Sequence, residues 1–286
     1  MNVKIVVDSC SDIPNDVLKK YDIHMVPLNI IINEKEMHDR VDLEPKEYYK
    51  IIEKVDLPKT SSPNLAQWKE CFDQFLKEEG YDQLVVVTLG HKLSNTYEKA
   101  CVAAKKFYPD RVRVLNSMRA SAGEGLVALK MKELLDRGYD YSTVYSFMEQ
   151  LRHEVVEIGF MNTLKMLVKT GRVTKAQSFF ASLIRLKPLI ITEESENRPL
   201  GNAISLKNAT RKAIRELLVR TDPSMTYSLF ITHAEDKVGA EKLKAQIEEK
   251  LNISKAFVGY MGPVVGSRVG LRAQILAVIP DKEPQE

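Results

Sequence analysis

No apolar run in the sequence approaches the ~18 residues of a membrane span, so a bilayer-crossing helix is not expected. Cysteine is scarce: Cys10, Cys71 and Cys101 stand far apart and make neither a CxxC pair nor a disulfide framework. An odd thiol count fits a reducing compartment. The opening MNVKIVVDSCSD breaks its apolar run at Asp8 and reads as a first strand, not an export signal. A cytoplasmic protein is the expectation. Aromatics are only 7% and the formal net charge only +3, so the basic, aromatic-rich clusters that bind nucleic acid are missing. There is no internal repeat, low-complexity stretch or long Gly/Ser linker.

The motifs of catalysis are missing too. A phosphate loop GxxxxGK[ST] needs a second glycine and a lysine, but Gly90 is followed by HKLSNT. No GxSxG elbow occurs, so a serine hydrolase has no support. His91 lies three residues before Ser94 and has no carboxylate placed to orient it. MHDRVD (37–42) holds a histidine and two aspartates without a second cluster to complete a metal site, and no cofactor motif is found.

What is present is 286 residues with 44% apolar content, enough for one large or two medium domains. The first half alternates: strand 3–8, helix 11–21 capped by Ser11 or Asp12, extended 23–33, a capped helix 43–54, helix 63–80, strand 84–88, helix 95–107, strand 111–115 and helix 118–137. That βαβα order argues for a parallel sheet with helices on its faces. The second half reads as mixed α and β: helices 141–155, 175–186, 206–220 and 237–250, a short helix ending at Gly171, and extended runs 187–193, 226–232, 254–261 and 273–279. A division into domains 1–150 and 151–286 is expected.

Three strand-to-helix seams carry small hydrogen-bonding residues: Asp8-Ser9-Cys10-Ser11, Thr88 to Thr96, and Asn116-Ser117. In a parallel sheet all three fall at the carboxyl ends of strands, where open α/β sheets bind ligands. Helix N-termini there offer unpaired N–H groups to an anion. One cap per helix would suffice, and Ser94-Asn95-Thr96 exceeds that need. The loop LPKTSSPN adds Thr60 and Ser61, and GPVVGSRVGL (262–271), read as a turn between strands, adds Ser267 and Arg268. Apolar residues Phe160, Met161, Leu164, Met166, Leu167, Phe179, Phe180, Leu183 and Ile184 are candidate walls for a ligand, though core packing alone explains most of them.

Taken in order, VVDSCSDIP, VPLNIIINEKEMHDRVDLEPKEYY, PKTSSP, LSNTYEKA, LNSMRASAGEGL, KTGRVTKAQ and GPVVGSRVG resemble the DegV family of bacterial fatty-acid-binding proteins over essentially the whole chain. The resemblance implies a three-layer α/β/α domain with a parallel sheet plus a second α/β domain with a mixed sheet. It implies a long-chain fatty acid between them, its carboxylate held by Thr60, Ser61, Ser94 and Asn95. It also implies a non-catalytic protein whose bound acid goes to a separate fatty-acid kinase, which makes the acyl phosphate for phospholipid synthesis. Part of dihydroxyacetone kinase is similar as well. The sequence departs from the family pattern at three places. Arg268 follows Ser267 where a histidine is usual, Lys207 and Arg211 are the basic residues of a segment often richer in arginine, and the usual DST is Asp8-Ser9-Cys10. Two other readings stand beside this one: a phosphotransferase or hydrolase acting on a small polar ligand at the same seam, and a regulatory module for another amphiphile.

Overall fold

A computed structural model describes residues 1–173 and 186–285. In chain order the first half forms β1 (Val3–Asp8), β2 (Ile23–Val26), β3 (Asn29–Ile32), β4 (Lys35–His38), β5 (Lys59–Ser61), β6 (Gln83–Thr88) and β7 (Val112–Asn116). β2-β1-β6-β7 pair in that order, all parallel. β3 instead pairs antiparallel with β4 and β5 in a small separate sheet. The unbroken run Val85-Val86-Val87 is fully buried because helices cover both faces of the parallel sheet. α3 (Leu65–Asp73) and α4 (Thr96–Phe107), which follow α1 (Asn15–Lys20) and α2 (Pro45–Ile51), meet one face through Trp68, Phe72, Ala100 and Ala103. α5 (Ala122–Asp136) and α6 (Tyr141–Leu151) cover the other through Leu126, Leu134, Val144 and Met148.

The second half builds a mixed sheet from β8 (Val156–Phe160), β9 (Lys187–Glu193), β10 (Glu196–Ala203), β11 (Thr226–His233), β12 (Asn252–Tyr260) and β13 (Gln274–Pro280). Its order is β10-β9-β8-β13-β11-β12, with only β11 and β12 parallel. α7 (Lys165–Lys169), α8 (Leu206–Val219), α9 (Lys237–Glu248) and α10 (Pro263–Val269) complete the described helices. α8 and α9 seal its outer face with Ala213, Leu217, Ala240 and Leu243. Its inner face, with Ile190, Phe230, Ile275 and Ala277, joins the same core as the parallel sheet. α5 is the shared layer: every residue from Ala122 to Met131 is buried, as a helix enclosed on all sides requires.

Several local expectations are corrected. Neither Ser11 nor Asp12 caps α1; the helix begins after Pro14 with no side-chain cap. α2 likewise lacks a capping side chain, whereas Asn64 closes a full capping box with Gln67 at α3. α5 starts four residues later than expected, because Met118 (φ 61) and Ser121 (φ 54) are left-handed and hold 117–121 as a loop. GPVVGSRVGL is a helix, α10, with Pro263 in its first turn. Thr60 and Ser61 lie on an edge strand, not in a loop. β10 was not anticipated. The helix expected over 175–186 lies, but for its last residue, outside the described residues.

The two sheets are tied through buried carboxyls. Asp12 accepts from Gly262 N–H at 2.7 Å and lies 2.6 Å from the Ser121 hydroxyl, which meets Thr232 at 2.6 Å. Asp39 accepts from Val264 N–H at 3.1 Å and from Ser9 at 2.6 Å. Tyr49 donates to Met261 C=O at 3.1 Å. Asp8 accepts from the N–H groups of Cys10 and Leu89, each at 2.9 Å. Burial pushes Asp8 up to about 7, Asp12 to about 8 and Asp39 to about 6.

These carboxyls keep their protons in the folded chain where the unfolded chain has released them. Their contribution is complete below the unfolded value near 3.8 and is lost as pH rises towards 8. Below 6.5 the loss is offset by His24 and His233, whose burial pulls them down to about 4. The urea midpoint is therefore expected to fall between pH 6.5 and 8, and to fall less in Asp12→Asn. A midpoint that rises across this window contradicts the assignment.

Candidate functional site

The carboxyl ends of β1, β6 and β7 face the inner surface of the mixed sheet, and a cavity lies between them. Its walls are largely aliphatic: Leu28, Leu89, Leu93, Leu167, Ile190, Val264, Val265, Val269 and Ile275. It continues into a wider polar mouth of about 360 Å³, against about 90 Å³ for the apolar part. Leu28, Thr60, Leu93, Ser94 and Arg172 line both.

The hydroxyls at the mouth are oriented by fixed donors. Arg268, on the last turn of α10, donates from Nη2 to Thr60 Oγ1 at 2.7 Å and from Nη1 to the Pro58 carbonyl at 3.2 Å. Asn29 donates from Nδ2 to Ser61 Oγ at 3.1 Å. An oxygen that accepts such a bond still has its own hydrogen to give, so Thr60 and Ser61 can donate to a group at the mouth. Ser94 Oγ lies 2.9 Å from the hydroxyl of the buried Thr96. With Thr96 donating, the Ser94 hydrogen is free as well. Asn95 sits at the start of α4 but makes no capping bond, so neither residue is merely a cap.

Among the sequence candidates, Thr60, Ser61, Ser94 and Asn95 line the mouth, and Thr60, Ser94 and Arg268 line the apolar part. Ser267 does not join them. It lines neither part, and its hydroxyl donates to Val264 C=O at 2.7 Å within α10. Lys207 and Arg211 lie at the start of α8, with Arg211 turned to Asn208. Of the apolar candidates among the described residues only Leu167 is a wall; Phe160 packs into the core on the outer face of the mixed sheet. Phe179, Phe180, Leu183 and Ile184 lie outside the described residues.

The mouth residues that were not anticipated include His91, Lys92, Lys99, Thr170 and Arg172. Arg172 follows Gly171, whose φ of 71° ends α7; the motif KTGRVTKAQ contained it without revealing its direction. His91 is oriented by amide and hydroxyl where a carboxylate was sought. Its Nδ1 lies 2.7 Å from Asn116 Nδ2 and 3.0 Å from Ser195 Oγ. No carboxylate lines the mouth among the described residues. Glu157 lines the apolar part, where burial raises it to about 7 and Gly123 N–H donates to it at 2.9 Å. Among the described residues no group of His, Cys, Asp and Glu could hold a metal ion, and no helix is long and apolar enough to cross a membrane.

A parallel four-stranded sheet joined through one buried helix to a mixed six-stranded sheet, with a cavity between them, defines a two-sheet α/β binding fold. The family model described as "uncharacterised protein, DegV family" matches residues 2–281, and the chain belongs to the DegV family. It is 30% identical over 275 residues to a fatty acid-binding protein of Thermotoga maritima, covering 94% of this chain and 95% of that one. A DegV domain-containing protein of Clostridium acetobutylicum is 29% identical over 269 residues, covering 94% and 95%. A fatty-acid-binding DegV family structure from Thermus thermophilus superposes with a TM-score of 0.90 at 26% identity, covering 98% of this chain and all of that one (100%).

The two ends of α10 are expected to differ in importance. Ser267→Ala removes one neutral bond inside the helix and should cost no more than about 1.5 kcal/mol in urea denaturation. Asp39→Ala strips partners from both Val264 N–H and Ser9 and should cost about 2–4 kcal/mol. Equal costs would show that the carboxylate anchor does not hold this helix.

Proposed function

We propose that the protein binds a long-chain fatty acid, its carboxylate at the polar mouth and its acyl chain along the aliphatic cavity. The observation that carries this reading is a mouth of donors opening into an apolar slot. Thr60, Ser61 and Ser94 have hydrogens to give, Asn95 lies beside them, and Arg172, Arg268 and Lys99 bring positive charge. A carboxylate only accepts, and it accepts several bonds at once. The descriptions of the Thermotoga maritima and Thermus thermophilus relatives as fatty-acid binders support the same assignment.

The energetics favour a long chain. Burial gives about 0.8 kcal/mol per methylene, on the order of 10 kcal/mol for fourteen. Association costs of about 4–15 kcal/mol remove much of it. Head-group bonds of about 1.5–3 kcal/mol each then decide net affinity and which end enters first.

The reading extends to a non-catalytic role in the cytoplasm, with residues 1–150 and 151–286 as two domains around the ligand. The mouth would offer the carboxylate to a separate fatty-acid kinase that makes the acyl phosphate. A hydrolase reading has one feature in its favour, the Ser195–His91 contact. Ser195 is buried and lines neither part of the cavity, so its hydroxyl is not placed to attack a bound ligand.

Mass spectrometry of ligand extracted from the purified protein is expected to find a long-chain acid; a different amphiphile would overturn the reading. Ser94→Ala should weaken a fluorescent acyl probe by about 1–3 kcal/mol, since a charged acceptor loses a donor. Arg268→His should weaken it further above about pH 7, where an ordinary histidine is mostly neutral and arginine remains charged. Identical affinities from pH 5.5 to 8.5 would remove Arg268 from the head-group site.

A further inference from the structure

We infer that His91 is a specificity-determining residue of the mouth: a neutral imidazole held in its Nε2–H tautomer, donating to a head group that can only accept. This deepens the fatty-acid reading above and rests on it.

The tautomer follows from a chain of fixed bonds. Met118 N–H donates to Asn116 Oδ1 at 2.9 Å, which settles which end of the amide is which. The other end, Nδ2, faces His91 Nδ1 at 2.7 Å. An amide NH₂ has no lone pair to offer, so Nδ1 must be the acceptor. A neutral ring whose Nδ1 accepts carries its proton on Nε2. The Ser195 hydroxyl, 3.0 Å from the same Nδ1, can donate to it as well.

The ring is also held in place. Gly90 passes so close to the 194–196 turn that a Cβ on it would lie 2.9 Å from Ser195 Cβ. Ser195 is itself left-handed, with φ 64°, and its N–H donates to Met118 C=O at 3.2 Å. Gly90 N–H donates to Arg119 C=O at 2.8 Å. Three loops therefore interlock around His91: 88–95, 116–121 and 194–196. None of the described residues accepts from Nε2, and the ring lines the mouth together with Thr60, Ser61, Ser94 and Arg172.

The consequence is selectivity by proton direction. Arg172 and Lys99 attract any anion, whereas a neutral donor in fixed orientation ranks head groups by what they can accept. A carboxylate takes the Nε2–H bond with a lone pair to spare. A long-chain alcohol accepts the same bond only through a neutral oxygen, a weaker acceptor than a carboxylate, and a long-chain amine brings a positive charge towards Arg172 and Lys99.

The test needs no variant at first. In protein labelled with ¹⁵N-histidine at pH 8, the His91 correlations should show the Nε2–H tautomer, and saturation with palmitate should move the Nε2 resonances. His91→Phe, similar in shape but without nitrogens, should bind palmitate about 5–20-fold more weakly and 1-hexadecanol within about twofold of wild type. His91→Gln, whose amide can again donate, should recover most of the loss. An Nδ1–H tautomer, resonances unmoved at saturation, or equal palmitate affinity in His91→Phe and wild type would overturn the inference while leaving fatty-acid binding intact. Wild-type protein that binds no palmitate would overturn the fatty-acid reading and this inference with it.

Discussion

Two carboxyls from the first half of the chain hold the start of a helix from the second, and the site depends on that grip. Asp12 takes the N–H of Gly262 and Asp39 that of Val264. Both residues begin the chain's path into α10, so fixing them fixes the direction of the helix. In its last turn, α10 delivers Arg268 to Thr60 and to the Pro58 carbonyl. Val264, Val265 and Val269 of the same helix form one wall of the cavity. Without the anchors, neither the cation nor the wall would have a defined position. The arrangement carries its own cost, because carboxyls this deeply buried resist ionisation and answer to pH.

The shared helix α5 makes that grip possible by bringing the two sheets close. It permits this through glycine at two points. A Cβ on Gly125 would lie 2.7 Å from the Phe230 ring and 2.8 Å from Ser11 C=O, and one on Gly123 would lie 2.1 Å from Glu157 Oε2. Glu124 sits between them, fully buried, with neither oxygen bonded to a described residue. Burial first, and then the nearby Asp8, Asp12 and Glu157, push it well above the usual carboxylate range. A charged carboxylate there would face Asp8, Asp12 and Glu157 across a water-poor interior.

The sequence makes some of this legible. Periodicity marked β1, β6, β7 and β13 and most helices, because each buries a face whose repeat is local. The seams at the ends of β1, β6 and β7 were also readable, since a parallel sheet puts them on one edge whatever the rest of the chain does. The role of Asp12 was not. A carboxylate just ahead of a helix has the look of a cap, and its real partner is Gly262, 250 positions away. The same holds for Asp39, which within MHDRVD looked like an incomplete metal motif. GPVVGSRVGL suggested a turn on glycine content alone; Pro263 at the first helical position is a local signal for the helix actually formed. His91 could not be read because its partners, Asn116 and Ser195, come from two other loops. Sequence shows what a side chain is able to bond to, and only the fold supplies the partner.

That distinction explains how a mouth lined with hydroxyls acquires a direction. A serine or threonine donates and accepts equally well, so Thr60, Ser61 and Ser94 in isolation would suit many polar head groups. Arg268, Asn29 and Asn116 reduce the ambiguity. Each supplies an N–H to an atom at the mouth: Thr60 Oγ1, Ser61 Oγ and His91 Nδ1. Each of those atoms is then engaged as an acceptor: His91 Nδ1 has no lone pair left, and Thr60 and Ser61 keep a hydrogen to give beside one remaining lone pair. Three nitrogen donors thus bias the mouth towards ligand groups that accept hydrogen bonds. The polarity of the site is set one bond behind those atoms, by Arg268, Asn29 and Asn116.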